Sequence, residues 1–264
     1  MKIKRMIVFS AIVSHPLVGI DDAGTEKEAK GISKTLRSLG DLESELEKSK
    51  PDTLIVISPH AEAEDYNFVI NSSFSLSGRL DLSGFEKEFK FKNDLDIVRQ
   101  IEYCGELVDL FIHRRSHSLD YGALVPLAHL LKNISPRVVH MSPSLLSYEK
   151  HYEFGELLSN VLRNSKKRIA IIASGELSHR LAPDAPAGYS PEAKFFDYWV
   201  LNHLSNNDVK ALVNMEKSKI EEAVECGLRP LLMMLGMIYQ EKYGFNILSY
   251  ETSTGTGYLV ARFI

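Results

Sequence analysis

Short apolar runs rich in β-branched residues alternate with longer segments of helical periodicity along most of the chain. The clearest runs cover residues 6–13, 53–57, 138–141 and 169–174, and we interpret each as a buried strand. Helices are predicted over residues 26–48, 93–110, 123–132, 148–164, 191–204, 207–215 and 226–243. Strands that alternate with helices in this way are typical of an α/β domain.

The remaining segments add edge strands and loops. Residues 66–92 are polar and aromatic and predict short antiparallel strands, of which Phe68-Val69-Ile70 is the clearest. Residues 114–120 are interpreted as a loop, and the Pro- and Gly-containing residues 181–190 as either a lid or an ordinary surface connection. The last strands are predicted at 245–250 and 257–263. Because no repeat or linker interrupts the pattern, we predict a single domain over residues 1–264 with a central mixed sheet flanked by helices.

Composition narrows the class of protein. The chain has 264 residues, 44% of them hydrophobic and 25% charged, with a formal net charge of −4. The absence of a basic block argues against a nucleic-acid partner, and no apolar run reaches the length of a membrane span, about 18 residues. Two cysteines, Cys104 and Cys226, provide no disulfide framework. The apolar run near the start is short for a signal peptide, so we expect a cytoplasmic protein.

Two histidines directly follow predicted strands, in Ser14-His15-Pro16 and Ser58-Pro59-His60. Ligands of open α/β sheets collect at the carboxyl ends of the strands, so these imidazoles are expected to share one edge. Two histidines begin a metal site that needs a further carboxylate or thiolate. We predict the active site at this edge.

The third ligand has two neighbouring candidates. Glu225 and Cys226 lie at the start of the apolar helix predicted over 226–243, whose positive N-terminal end favours a carboxylate or a thiolate with a lowered pKa. The structural alternatives are a helix cap for Glu225 and a small buried side chain for Cys226. Both roles stay open at this point.

His117 and His179 also lie at element ends. His179 follows the strand at 169–174 by a short turn and is a candidate general acid or base, with Glu176 either its partner or a cap of the turn. His117 leads into Asp120 and an apolar helix, where the alternative role is helix capping. The other histidines are interpreted as structural or solvated, namely His113, His129, His140, His151 and His203.

Five short motifs in this order resemble class III extradiol ring-cleavage dioxygenases of the catalytic B-subunit type. The motifs are Ser14-His15-Pro16, Ser58-Pro59-His60, Leu119-Asp120-Tyr121-Gly122, Ser174-Gly175-Glu176-Leu177-Ser178-His179 and Glu225-Cys226-Gly227. The chain is especially similar to the subgroup that is related to Memo proteins and occurs with AMMECR-type domains. The closing stretch, residues 248–261, also fits that subgroup.

The resemblance implies a fold and a chemistry. It implies one Fe(II) ion held by His15, His60 and Glu225, with His179 as the acid/base residue, and a catecholic or related aromatic substrate that is opened by dioxygen. It also implies an AMMECR-type partner protein; apart from the resemblance, a homo-oligomer is the other assembly we expect.

Two departures from the family pattern keep an alternative open. Tyr121 stands where many members have histidine, and we expect His117 to compensate for it. Memo proteins carry a cysteine at the Cys226 position and are not expected to cleave rings; such a site accepts Zn or Cu as readily as Fe. The alternative is therefore a Memo-like metal-binding or redox protein, and a metal-free interaction domain is a third hypothesis.

Overall fold

The structure is a computed structural model, and it describes residues 6–20, 23–82, 85–106, 112–116, 118–185 and 187–264. The strands are β1 Ile7–Val13, β2 Thr53–Ile57, β3 Phe68–Asn71, β4 Ser75–Leu82, β5 Phe85–Lys92, β6 Ile112–Arg115, β7 Arg137–Ser142, β8 Ile169–Ser174, β9 Asn246–Glu251 and β10 Tyr258–Arg262. The helices are α1 Glu26–Gly31, α2 Ser33–Ser49, α3 Leu95–Glu106, α4 Tyr121–Leu130, α5 Tyr148–Asn164, α6 Pro191–Ser205, α7 Val209–Val213, α8 Lys217–Ala223 and α9 Leu228–Ile238.

Within the described residues, eight strands form one mixed sheet in the order β6-β3-β7-β2-β8-β1-β10-β9. Its centre, β7-β2-β8-β1, is parallel, and β3 and β10 run antiparallel to β7 and β1. β4 and β5 pair as a separate hairpin. The central strands β2 and β8 are buried along their whole length, as expected of parallel strands covered on both faces. The prediction of an α/β fold with a mixed central sheet is confirmed.

The two faces of the sheet carry separate hydrophobic clusters. One face packs against α3 and α5 to α9, and the other packs against α2, α4 and the β4–β5 hairpin. Alternate residues of a strand point to opposite faces, so β2 contributes Ile55 to one cluster and Val56 to the other. None of the helices in the described part of the chain combines the length and hydrophobicity needed to cross a membrane.

Several predicted elements differ from the structure. The helix predicted over 26–48 is broken at the buried Ile32, which ends α1 and begins α2. Thr25 caps the start of α1. The predicted loop at 114–120 begins inside β6, an edge strand whose charged residues hide the strand pattern. The short helix α8 was not predicted at all. Of the helix predicted over 93–110, residues 95–106 are confirmed and 107–110 lie outside the described residues.

Helices α5 and α9 pack closely through two glycines. A Cβ on Gly155 would lie 2.2 Å from the Met233 carbonyl oxygen, and one on Gly236 would lie 2.2 Å from the Tyr152 carbonyl oxygen. These contacts involve backbone, which does not move aside as a flexible side chain does. The approach fixes α9, and therefore the segment before it, against the rest of the domain.

We expect Gly155→Ala to lower the free energy of unfolding by roughly 1–3 kcal/mol, because the added methyl group overpacks this contact. The matched control is Gly40→Ala on the exposed side of α2, where a Cβ has no neighbour within 4 Å. That change should stabilise the protein by about 0.5–1 kcal/mol through helix propensity. Urea unfolding of both variants measures the difference; equal effects would contradict the role given to Gly155.

Candidate metal centre

Three neighbouring parallel strands deliver three side chains to one point. His60 follows β2, Glu176 follows β8 and His15 follows β1, and these strands are adjacent in the order β2-β8-β1. Cys226 joins them from the turn between α8 and α9. One potential ligand atom from each of the four residues lies within 4.8 Å of all the others. We call His15, His60, Glu176 and Cys226 the donor cluster.

Glu176 Oε2 is central to the donor cluster. It lies 2.7 Å from His15 Nε2 and 3.4 Å from Cys226 Sγ, and the Nε2 atoms of His15 and His60 are 3.1 Å apart. Burial alone would raise the pKa of the Glu176 carboxyl, but the contacts with His15 and His179 together outweigh burial and the pKa is lowered. Glu176 Oε1 accepts a hydrogen bond from the His15 backbone N–H at 3.0 Å. The carboxylate is therefore held ionised and fixed in direction.

The backbone around two glycines joins Glu176 to Cys226. The N–H groups of Cys226 and Gly227 donate to the Glu176 carbonyl at 3.3 and 2.9 Å, and the Glu176 N–H donates to Cys226 Sγ at 3.2 Å. A Cβ on Gly175 would lie 2.2 Å from Gly227 Cα, so only glycines permit this approach. The motif at 174–179 and the motif at 225–227 thus form one unit.

A hydroxyl fixes the orientation of the His15 ring. Ser174 Oγ donates to the Gly122 carbonyl and lies 2.9 Å from His15 Nδ1. Since the single hydroxyl hydrogen points to a carbonyl that accepts only, Ser174 accepts from His15 Nδ1–H. In the neutral ring, Nε2 then carries the lone pair that faces the donor cluster.

Asp120 supports the opposite side of the site. Its Oδ1 accepts from the Ser58 hydroxyl and from the Ala123 N–H at the start of α4, and its Oδ2 lies 3.2 Å from His140 Nε2. Burial would raise the pKa of Asp120, but His140 and Ser58 lower it to about 2. Asp120 thus ties the segment before His60 to α4. Burial, with the nearby His15, lowers the pKa of His60 to about 4, so this ring is neutral at pH 7.

His179 and Tyr121 border the donor cluster. His179 Nδ1 donates to the Val224 carbonyl at 2.6 Å, and Nε2 lies 3.5 Å from Glu176 Oε2. Burial lowers the pKa of His179, but the hydrogen bond and charge of Glu176, together with the Val224 carbonyl, outweigh burial and the pKa is raised. The Tyr121 ring stacks on His60 with centroids 4.4 Å apart, and burial raises the pKa of its hydroxyl to about 12. Tyr121 therefore stays a phenol at neutral pH, able to donate but not to titrate.

The structure brings His15, His60 and Cys226 together and places Glu225 outside the donor cluster. The Glu225 carboxylate accepts the Leu228 N–H at the start of α9 at 2.6 Å, and the carboxylate within the donor cluster is that of Glu176. The thiol pKa of Cys226 was predicted to be lowered, but burial raises it. His117 lies outside the described residues. His140, interpreted as structural or solvated, proves to support Asp120.

The donor cluster fits a metal ion chemically. The Nε2 atoms of His15 and His60 are 3.1 Å apart and both face the ionised Glu176 carboxylate. Lone pairs on both nitrogens would repel each other and the carboxylate, so a proton or a cation must lie between these atoms. Ligand atoms of a tetrahedral ion with bonds of about 2.0–2.3 Å lie roughly 3.3–3.8 Å apart. His15 Nε2 lies 2.7 Å from Glu176 Oε2 and 4.0 Å from Cys226 Sγ, on either side of that range. A cation would also reverse the effect of burial on the Cys226 thiol.

A buried carboxyl lies beneath the segment that carries Glu176 and His179. Asp197 Oδ1 accepts from the Ser178 N–H at 2.8 Å, and the Tyr250 hydroxyl donates to Oδ2 at 2.6 Å. Burial raises the pKa of Asp197 from 3.8 to about 7 despite both hydrogen bonds. This side chain holds the segment in place, and sequence reasoning missed it.

We expect Ser174→Ala to weaken metal binding about 10- to 100-fold, because the His15 ring loses the acceptor that orients it. The matched control is Ser10→Ala in β1, whose buried hydroxyl has no hydrogen-bond partner among the described residues. Competition with a metal-binding dye measures both affinities. Equal affinities of the two variants would contradict the role assigned to Ser174.

We expect Asp197→Asn to change how stability depends on pH. Between pH 4 and pH 7 the folded carboxyl binds a proton that the unfolded one has lost, so the wild type loses stability as pH rises through this window. Asparagine does not titrate and keeps an acceptor for Ser178. The stability advantage of the variant should therefore grow toward pH 7, reaching on the order of 2–4 kcal/mol. Urea unfolding across this range measures it, and parallel profiles would contradict the prediction.

Two known bacterial proteins are similar in sequence to this chain. The chain is 28% identical over 270 residues to Protein CA_C1420 of Clostridium acetobutylicum, with 95% of the chain covered, and it spans 56% of that relative's length. It is 22% identical over 250 residues to the Escherichia coli 3,4-dihydroxyphenylacetate 2,3-dioxygenase, covering 85% of this chain and 83% of that protein.

The fold also matches a solved structure. The crystal structure of uncharacterized protein JW3007 from Escherichia coli superimposes with a TM-score of 0.68 at 16% identity, covering 98% of this chain and 99% of that one. The family model "Catalytic LigB subunit of aromatic ring-opening dioxygenase" matches residues 10–261. That span contains the whole donor cluster and His179. The chain therefore belongs to the LigB family of aromatic ring-opening dioxygenase catalytic subunits.

Proposed function

We propose that this protein is a metal-dependent extradiol-type dioxygenase that opens a catecholic or related aromatic ring with Fe(II) and dioxygen. The observation that carries the proposal is the convergence of two imidazole nitrogens and a carboxylate oxygen at the carboxyl ends of three adjacent strands. Two histidines and one carboxylate are the ligand set of non-haem Fe(II) oxygenases. Family membership and the dioxygenase relative support the same reaction class.

The residues in and around the donor cluster would have separate roles in the reaction. His15, His60 and Glu176 would hold the ion. A bound ferrous ion would supply Lewis acidity and one-electron chemistry toward dioxygen. His179 Nε2 would take the proton of a substrate hydroxyl and later return it, since Nδ1 is committed to the Val224 carbonyl. The Tyr121 phenol would donate a hydrogen bond to the substrate, and its half-exposed ring would contact the aromatic substrate.

A specific observation favours a second function. Cys226 Sγ lies within the donor cluster, 3.4 Å from Glu176 Oε2. A thiolate ligand suits Zn or Cu as well as Fe, and four protein donors leave fewer open positions for substrate and dioxygen. The alternative is therefore a metal-binding or redox protein that keeps the site without cleaving rings. A cytoplasmic location and a homo-oligomer or AMMECR-type partner stay predictions.

Metal content tests the donor cluster directly. We expect anaerobically purified wild type to contain iron. His15→Ala, His60→Ala and Glu176→Gln should each lose at least nine-tenths of that iron, because losing one ligand weakens the binding free energy by more than about 1.4 kcal/mol, which is tenfold in affinity. Glu225→Gln is the matched control, because it changes the neighbouring carboxylate that caps α9 and should keep the metal. Elemental analysis gives the ion and the ligands together. Loss of metal in Glu225→Gln but not in Glu176→Gln would show that Glu225, and not Glu176, is the carboxylate ligand.

Oxygen uptake with a panel of catechols separates the two functions. A dioxygenase should consume dioxygen and form a yellow ring-opened product, and His179→Gln should slow turnover about 100-fold or more while the iron content is kept. Retained metal without oxygen uptake on any catechol would favour the alternative. In that case Cys226→Ser should weaken metal binding more than Glu225→Gln does.

A further inference from the structure

A second tyrosine, Tyr258, lies beside the donor cluster. It is the first residue of β10, which runs antiparallel to β1. The Ser14 N–H donates to the Leu259 carbonyl at 3.2 Å, so the pairing of the two strands continues beyond the end of β1. The next pair in this register is His15 and Tyr258, and opposite residues of an antiparallel pair project to the same face. Tyr258 is therefore a direct neighbour of a histidine of the donor cluster.

The turn that carries Glu176 holds Tyr258 from the other direction. The Leu177 N–H donates to the Gly257 carbonyl at 2.9 Å, and the Gly257 N–H donates to the Ser178 carbonyl at 2.7 Å. Leu177 directly follows Glu176, and Gly257 directly precedes Tyr258. Backbone hydrogen bonds beside two members of the donor cluster thus fix the position of this tyrosine.

Two threonines hold the Tyr258 hydroxyl. Burial raises the pKa of Tyr258, the nearby charges of Glu176 and Cys226 add to this effect, and hydrogen bonds with the side chains of Thr254 and Thr256 oppose it without cancelling it. Tyr258 is therefore a neutral phenol at pH 7. A hydroxyl oxygen accepts two hydrogen bonds and donates one. With both threonines as donors, the phenolic hydrogen is left for an acceptor.

The hydroxyl of Tyr258 borders the donor cluster without belonging to it. Glu176 acts on this hydroxyl through its charge and not through a hydrogen bond. Tyr121 has the corresponding place on the His60 side, where the two rings stack. The donor cluster thus has one phenol on its His60 side and another on its His15 side.

We propose that Tyr258 is a further catalytic residue, whose hydroxyl donates a hydrogen bond to an ionised oxygen of the bound catechol. This inference rests on the proposed function, because the catechol must bind at the donor cluster. A hydroxyl that coordinates a cation loses its proton readily, so the oxygens of a bound catechol carry negative charge. A hydrogen bond to a charged oxygen is roughly twice as strong as one between neutral groups. Tyr258 supplies such a donor on the His15 side of the ring.

Tyr258→Phe tests the proposal, because it removes only the hydroxyl. The iron-loaded protein is titrated without dioxygen with 4-nitrocatechol, whose visible absorption differs between its protonated and ionised forms. We expect Tyr258→Phe to bind this catechol about 10- to 100-fold more weakly than the wild type, the effect of losing one charged hydrogen bond. The pH at which the bound catechol ionises should rise by about 1–2 units, because the lost donor stabilises the ionised form.

Two further variants make the result specific. Tyr243→Phe is the matched control, since Tyr243 is a half-buried phenol that packs against Phe263 beyond the other end of β10, and it should change neither quantity. Thr256→Val keeps the Tyr258 phenol but removes one of its hydrogen bonds, and it should weaken binding by less than about tenfold.

Iron content separates this proposal from the proposed function. Tyr258→Phe should keep the iron of the wild type, because Tyr258 is not a member of the donor cluster. Loss of iron, or binding and ionisation of 4-nitrocatechol equal to those of the wild type, would overturn the role of Tyr258 and leave the dioxygenase proposal standing. If the iron-loaded wild type does not bind 4-nitrocatechol, both proposals fail.

Discussion

The parallel pairing of β1 and β2 on the two sides of β8 is the constraint on which the site depends. Parallel neighbours end at the same edge of a sheet, and here they end in step: Val13 pairs with Ser174 and Ile57 with Ala173. The residues just beyond these ends are His15, Glu176 and His60. Moving any one strand by a single residue would turn its side chains to the opposite face. The donor cluster is thus a consequence of register, and register is fixed by strands that are buried along their length.

The fourth donor depends on a different kind of contact. Cys226 reaches the site because α9 is held against α5 by the Gly155 and Gly236 contact, and because Gly175 and Gly227 let two turns meet at backbone distance. Helix packing without those glycines would move the segment at 224–226 outward by the width of a methyl group or more. The same displacement would remove the Val224 carbonyl from His179. Backbone contacts at these four glycines therefore set the positions of both Cys226 and His179.

The predicted fold is confirmed, and the structure brings the predicted pair His15 and His60 together, because a strand followed by a polar residue is a local pattern of the sequence. Glu176 follows β8 in the same way, but the order β2-β8-β1 that makes it their neighbour is a property of tertiary structure. From the sequence, Glu225 is the better candidate for the carboxylate ligand because it lies just before a helix. In the structure its carboxylate accepts the Leu228 N–H at the start of that helix. The support from Asp120 and His140 could not be predicted either, since these residues are far apart in sequence and meet only across the sheet.

The network behind the donor cluster explains how ionisable groups can be packed so closely inside a protein. Glu176, His15 and His140 are nearly inaccessible to solvent, and each would be costly to bury alone. Every one of them meets a partner of complementary charge or hydrogen-bonding character: His15 meets Ser174 and Glu176, and His140 meets Asp120. Because these partners are fixed by strands and by the start of α4, the side chains need little reorganisation to receive a cation. A site that is rigid before the ligand arrives loses little entropy on binding, and this preorganisation is what metal-dependent catalysis requires.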